Sequence, residues 1–360
     1  MKLFINKDIS TSDEADFRNN NFNSIRFFAA IMVILGHMYL IIGSPGLNIF
    51  NQDISTIGVK IFFLISGYLI TESYMRDSNI IRYAIRRFFR IIPGLSFLVV
   101  LTVFILGPLL TSLSIHEYFS NSITYSYLKN IVLYIQYGLP GIFQFNIYPN
   151  AVNGSLWSLP AEVLMYIVVP IVLFISKQVK HPIIVICTFI LMLVSINSIV
   201  YKFNPQAFYV VYATNIFDAL HLAPYFFIGT LFTFTCIKKI LNVQLATAML
   251  FVAMTCNFSY IPNEILMYVV LSYFIFSFAL AQRPVFGNWF AKNDYSYGIY
   301  LYGFLVQQMS VNLLSKYNLR YNHYVIISII GSFIFAFISW HLIEKPAQKL
   351  CKTILIKLRK

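Results

Sequence analysis

"RFFAAIMVILGHMYL", residues 26–40, is an apolar run that opens on an arginine and carries a histidine at position 37. Extended a few residues either way, it reaches the length a helix needs to cross roughly 30 Å of hydrocarbon. Apolar blocks of about 18 to 25 residues, the size of a membrane-crossing helix, recur along the whole chain, separated by short polar stretches. Hydrophobic residues make up 59% of the 360 positions and charged residues 11%, against about a quarter charged in an ordinary soluble domain. The expected fold is therefore all-α, a polytopic transmembrane helical bundle.

Ten spans are predicted, near 24–43, 57–75, 91–111, 156–176, 182–201, 217–237, 243–258, 264–282, 295–314 and 324–343. Residues 128–143, "LKNIVLYIQYGLPGIF", form the doubtful block. Its apolar core is too short to cross before Gly138, Pro140 and Gly141 interrupt it. Leaving it outside the bilayer collects the basic connections 76–90, 177–181, 238–239, the stretch with Arg283 and Lys292, and the tail on one side. By the positive-inside rule that side is the cytoplasm, so both termini are expected there. The net charge of +13 thus reads as topology rather than as a nucleic-acid surface.

This divides the chain into a mobile cytoplasmic arm (1–23), a membrane domain (24–346) with a long external segment (112–155), and a basic cytoplasmic tail (347–360). The first span follows the mixed-charge stretch "NKDISTSDEADFRNNN" and has no small-residue cleavage site after it, so no signal peptide is expected. Cys187, Cys236, Cys256 and Cys351 show no paired spacing, and neither a disulfide framework nor a metal site is expected. The external segment holds nine Phe/Tyr beside one lysine and one glutamate. They read either as an aromatic belt at the interface or as a stacking platform for a sugar.

On this topology Arg26 lies at the cytoplasmic mouth of the first helix and His37 about 16 Å further along the axis. An imidazole at that depth is expensive and usually lines a cavity or pathway; it is also a natural general base. A neutral histidine hydrogen-bonded inside the bundle is the plainer alternative. In the loop between the second and third spans Arg82, Arg86, Arg87 and Arg90 crowd beside Pro93 at a helix entrance, and guanidinium forks at a membrane-side pocket suit phosphates. A third constellation, "NGSLWSLPAEVLMYIVVP" (153–170), carries Trp157, Ser158, Glu162 and Tyr166. Glu162, Tyr166 and Pro170 recur every four residues and share a helix face. There a carboxylate can orient an imidazole, bind a sugar hydroxyl, or pair with a buried cation such as Lys60.

Arg26 and His37, then "GVKIFFLISGY" (58–68), "RRFFRIIP" (86–93), "LWSLPAE" (156–162), "YSYGIYLYG" (295–303) and "WHLIEKP" (340–346), occur in an order that resembles the acyltransferase-3 family of membrane O-acyltransferases. The resemblance covers residues 24–346. It implies transfer of an acyl group, usually acetyl from acetyl-CoA as co-substrate, to a hydroxyl of a glycan or lipid-linked sugar at a bacterial inner membrane. By motif, His37 matches the family's essential histidine, Arg26 its paired arginine, and Arg87 and Arg90 the pair associated with acyl-CoA. Glu162 is carried over as a second catalytic position, and Trp157, Ser158, Tyr166, Tyr297 and Tyr300 as acceptor-binding positions. Lys60 departs from the pattern, standing where many relatives have an aspartate; that aspartate's role would fall to another group, such as Asp53 or Asp218. The short tail after Glu344 favours a stand-alone modifier of lipopolysaccharide O-antigen or a similar polysaccharide.

His37 is read either as the base that deprotonates the acceptor or as a carrier acylated in passing. His221, three residues after Asp218, is the second candidate base. The competing class is a proton-coupled transporter, which also buries His, Asp and Glu in many spans. No halved repeat supports it, and the arginine cluster has no obvious use in a carrier.

Overall fold

The computed structural model describes residues 20–256, 258–281, 293–317 and 319–358. Most of the expected N-terminal arm, the connection holding Arg283 and Lys292, and the last two residues of the tail lie outside the described residues. Ten principal helices are present among the described residues: α1 Phe22–Ile41, α2 Ile54–Arg76, α3 Ile80–Leu110, α4 Ser158–Lys177, α5 Pro182–Phe203, α6 Ile216–Leu231, α7 Val243–Thr255, α8 Tyr260–Ala279, α9 Ser296–Leu314 and α10 Tyr321–Lys357. Two short hairpins, β1 Asn48–Ile49 with β2 Gln52–Asp53 and β3 Val210–Val211 with β4 Thr214–Asn215, precede α2 and α6.

A helix therefore occupies each position where a span is expected. Seven are long and apolar enough to cross a bilayer among the described residues, while α6 and α7 are apolar but shorter. In α9 the expected apolar span carries buried Gln307 and Gln308. Their side chains are structural: Gln308 donates to the Tyr148 and Ala151 carbonyls, both at 2.8 Å, and accepts from Asn146 at 2.8 Å. These bonds sew the external segment onto α9.

α2 is the central helix, with 78% of its apolar window buried, against 17% for α5. Its closest partners are α1 and α6, and α9 packs on α1 and α10. Small residues make those approaches possible: a side chain at Gly58 would meet the Ala29 carbonyl at 2.7 Å, the close helix contact expected inside a membrane bundle. α5 exposes Ile184, Leu191, Met192 and Ile199, an apolar face suited to lipid.

Two expectations change, and the one for the 128–143 block holds. The arginine cluster is not a loop at a helix entrance, because α3 begins at Ile80, capped by Asn79 accepting from the Arg82 N–H at 3.0 Å. Pro93 lies inside that helix; membrane helices tolerate such a break because neighbouring groups re-satisfy the backbone. The 128–143 block forms only a 3-10 stretch, Tyr127–Val132, before turning irregular. Finally, Tyr118, Tyr127 and Phe143 of the external segment are buried core residues, so neither an interfacial belt nor an exposed platform accounts for them.

Candidate active site

α1 presents its two functional groups at opposite ends. At the first, Arg26 donates to Asp294 at 2.5 Å, and Arg90 reaches the same carboxylate oxygen at 2.6 Å. Burial opposes ionisation of Asp294, but Arg26 and Arg90 overcome it and hold the carboxyl well below the usual carboxylate range. Asp294 also accepts from the Ser296 backbone N–H at 3.2 Å, at the start of α9. Rings complete the cluster: Phe62 lies 5.8 Å from the Arg26 guanidinium and Tyr297 lies 5.5 Å from that of Arg90, within cation–π range.

The four arginines of α3 therefore differ sharply. Arg82 and Arg86 bind Asp77 at 2.7 and 2.8 Å. Those hydrogen bonds, Arg82's first, hold the Asp77 carboxyl well below its usual range. Arg90 is taken by Asp294. Arg87 has no carboxylate ion pair among the described residues. It donates to Ser73 Oγ at 3.3 Å and lies 5.8 Å from both the Tyr83 and Tyr166 rings. Its Nε is buried without a hydrogen-bond partner. A buried cationic N–H left unpaired is costly; Arg86 Nε is unpaired as well, but Arg86 already has Asp77 as its counter-charge, so Arg87 is the member of the cluster that best fits an incoming anion.

At the other end, His37 is half-buried. Its Nδ1 lies 3.5 Å from Ser155 Oγ, the outer limit of a hydrogen bond, and Phe304 packs edge-on at 5.3 Å. The turn around His37 is braced from both flanking helices, by Gln307 donating to the Ile34 carbonyl at 2.6 Å and Tyr321 donating to the Leu35 carbonyl at 2.9 Å. Ser155 is placed by the loop before α4. Asn153 caps that turn through the Ser155 N–H at 3.1 Å and donates to the Leu301 carbonyl at 2.7 Å. Gly154 is required there, since a Cβ would fall 2.7 Å from the Phe304 ring.

A line of contacts joins the ends. Tyr300 donates to the Ser155 carbonyl at 2.9 Å and shares a 2.5 Å hydrogen bond with Ser158 Oγ. Its ring meets Phe62 at 5.5 Å, and Phe62 in turn lies under Arg26. The expected acceptor residues thus separate into two groups. Ser158 and Tyr300 stand beside Ser155 and His37, whereas Tyr166 and Tyr297 belong to the arginine end, where Tyr297 donates to the Ile91 carbonyl at 2.8 Å. Trp157 is half-buried against the core.

Glu162 accepts from Tyr166 at 2.5 Å and Ser66 at 2.8 Å, so the shared helix face is real. The cation Lys60, however, pairs with Glu264 at 2.6 Å rather than with Glu162. His221 likewise meets residues of α8, with Tyr260 at 3.2 Å and Glu264 at 4.0 Å. Asp294, Ser155, Phe304 and Glu264 were not singled out by sequence reasoning. Asp294, Ser155 and Phe304 each stand within or beside a quoted motif, which was the available signal; nothing local marked Glu264. Glu344, in "WHLIEKP", also joins the arginine end: it accepts from Ser339 at 2.8 Å while its other oxygen has no partner.

Comparison with known proteins adds an independent line. A family model described as "Acyltransferase domain" matches residues 19–341. The chain is 30% identical over 336 residues to an O-acetyl transferase of Shigella phage Sf6, covering 91% of this chain and 96% of that one. It is 28% identical over 370 residues to Nodulation protein 10 of Rhizobium leguminosarum bv. viciae, covering 94% and 96%. A shorter match, 29% over 174 residues, reaches the peptidoglycan O-acetyltransferase OatA of Listeria monocytogenes and covers 44% of this chain and 25% of that protein. No solved structure matches.

Proposed function

The chain belongs to the acyltransferase family whose domain model it matches over residues 19–341, and on that premise we propose that this O-acetyltransferase moves acetyl from cytoplasmic acetyl-CoA to a sugar hydroxyl of a cell-surface polysaccharide. Lipopolysaccharide O-antigen is the acceptor class we favour, and a bacterial inner membrane the location. The orientation that goes with this reading has ten spans and both termini in the cytoplasm. The carrier alternative has no observation in its favour.

The observation that carries the reading is the layout of α1: an arginine cluster at one end, a half-buried imidazole at the other, and Phe62, Tyr300 and Ser155 in contact between them. Arg87, with its unpartnered Nε, takes a donor phosphate, and Arg90 and Arg26 stand beside it, aligned by Asp294. Glu162 and Tyr166 belong to this half of the path and meet the donor's polar arm. With Nδ1–H donating to Ser155 Oγ, Nε2 of His37 keeps its lone pair for the acceptor proton. The hydroxyl oxygen then forms a bond to the thioester carbonyl carbon, the carbon–sulfur bond breaks, and the proton leaves on the CoA thiol. If His37 carries the acetyl group first, Nε2 attacks the thioester carbonyl and the carbon–sulfur bond breaks to release CoA thiolate; the acceptor hydroxyl oxygen then bonds to the acetyl carbon as the Nε2–carbon bond breaks, and its proton passes to the thiolate. Ser158, Tyr300 and Trp157 border the acceptor.

Mass spectrometry of surface polysaccharide tests this, comparing cells with the wild-type chain and His37→Ala at matched membrane levels. An acetyl increment present only with wild type is the expected result. Its absence from both across candidate glycans overturns the reading.

A further inference from the structure

The largest polar feature outside this path surrounds Lys60. The side chain is fully buried, at 0% exposure, and its partner Glu264 is at 7%. Lys60 donates to Glu264 at 2.6 Å and to Gln52 Oε1 at 2.5 Å, and lies 4.9 Å from the Tyr225 ring. Gln52 returns a hydrogen bond to Glu264 through Nε2, and Tyr225 donates to the second Glu264 oxygen at 2.8 Å. Every arm of the network is used. Yet a buried ion pair is a poor source of stability, since apolar replacements are often neutral or better. What such a pair does supply is geometry.

The geometry it sets is that of the β1–β2 hairpin. Its two turn residues, Phe50 and Asn51, both sit in the left-handed region, at φ 54° and 55°. Asparagine tolerates that conformation, but an aromatic residue adopts it at a cost. α8 holds the turn in place: Asn263 donates to the Phe50 carbonyl at 2.5 Å, and the next residue, Glu264, holds Gln52.

One residue beyond Gln52 comes Asp53, which caps α2 by accepting from the Ser55 N–H at 2.7 Å. The same carboxylate lies against α1, where a Cβ at Gly36 would stand 2.6 Å from Asp53 Oδ1 and 2.6 Å from the Ser55 nitrogen. Gly36 immediately precedes His37 in α1, so Asp53 lies against the turn that carries the imidazole. A continuous set of contacts therefore leads from Lys60 and Glu264 through Gln52 and Asp53 to the catalytic turn.

We propose that Lys60, Glu264 and Gln52 form a latch that positions Asp53, and through it the His37 turn of α1, for acetyl transfer. These are positioning residues, and the proposal rests on the reading of His37 given above. The latch also accounts for the lysine at position 60: its negative partner comes from α8, and the carboxylate that serves the histidine is Asp53.

Gln52→Leu separates the hairpin from the latch while leaving the Lys60–Glu264 pair intact. The assay is incorporation of radiolabelled acetyl from acetyl-CoA into the polysaccharide of the producing cells, in membranes, per folded molecule. Expected is an unchanged KM for acetyl-CoA and a kcat lower by about tenfold to a hundredfold, the scale of a misplaced catalytic group. Asp53→Asn should show the same split, and the double variant should lose no more than Asp53→Asn alone, because both changes cut one chain of contacts. Wild-type kcat in Gln52→Leu, or losses that multiply in the double variant, overturns the latch. Should Gln52→Leu not be recovered folded, Asn263→Leu frees the turn from the other side and carries the same expectations. His37→Ala separates the two ideas: activity equal to wild type sinks the histidine reading, whereas an inactive His37→Ala beside an unaffected Gln52→Leu sinks the latch alone.

Discussion

The two ends of α1 solve the problem of a polar group in a membrane differently. Arg26 is bound into a charged cluster in which two guanidiniums share the Asp294 carboxylate. His37 is held by neutral neighbours, a serine at 3.5 Å and a phenylalanine ring, while Asp53, which lies against the preceding Gly36, is engaged in capping α2. Two guanidiniums bound to one buried carboxylate make a rigid clamp, because breaking it strands buried charge. Loose neutral contacts leave a nitrogen available for proton transfer. On the proposed reading, the arginine end holds the donor and the histidine end reacts.

The comparison breaks most visibly at the reactive end. His37→Ala should lower acetyl transfer by about 10²–10⁴-fold, the range for a positioned acid–base group, with no fall in folded protein. Membrane levels measured beside transfer rates check both halves. A variant lost to degradation would mean that His37 is structural after all.

The clamp should fail in stability. Asp294→Asn leaves Arg26 and Arg90 facing each other without the counter-charge they share, and removing one partner of a buried pair costs about 3–5 kcal/mol. Thermal denaturation in detergent reads this. The folded pKa of Asp294 is depressed, so its contribution is complete above the unfolded carboxylate range and is lost as pH falls through the folded value. The gap between wild type and variant should therefore hold steady from about pH 5 upward, and a gap that opens only near neutrality would contradict the assignment.

Within the arginine row, Arg87→Ala should raise the KM for acetyl-CoA about tenfold, the scale of one charge-assisted contact, with kcat nearly unchanged. Arg82→Ala, whose partner is Asp77, should leave KM alone. Equal effects of the two would show that the row acts only through its total charge. The smallest change expected is at Ser155→Ala, where losing one long hydrogen bond should cost about 1 kcal/mol, roughly fivefold in kcat.

Much of this was legible in the chain. The helices follow from apolar length, and the failure of 128–143 to form one follows from Gly138, Pro140 and Gly141. The spacing of Glu162 and Tyr166 foretold their hydrogen bond, because a four-residue step is local to one helix. Reading Pro93 as a helix entrance failed: proline marks a boundary reliably in water, but a membrane helix runs through it. Lys60 was legible as a departure, while its partner was not.

By itself, the sequence determined the helical membrane class, the positions of the apolar segments, and the separation of Arg26 from His37, because each depends on periodicity and length within one segment. Which groups meet was decided only by the tertiary structure. Asp294 lies 268 residues from Arg26, Glu264 lies 204 from Lys60, and Ser155 lies 118 from His37. No local pattern encodes such pairs. They form because each buried polar group must find a partner among the helices packed around it, and packing alone brings those helices together.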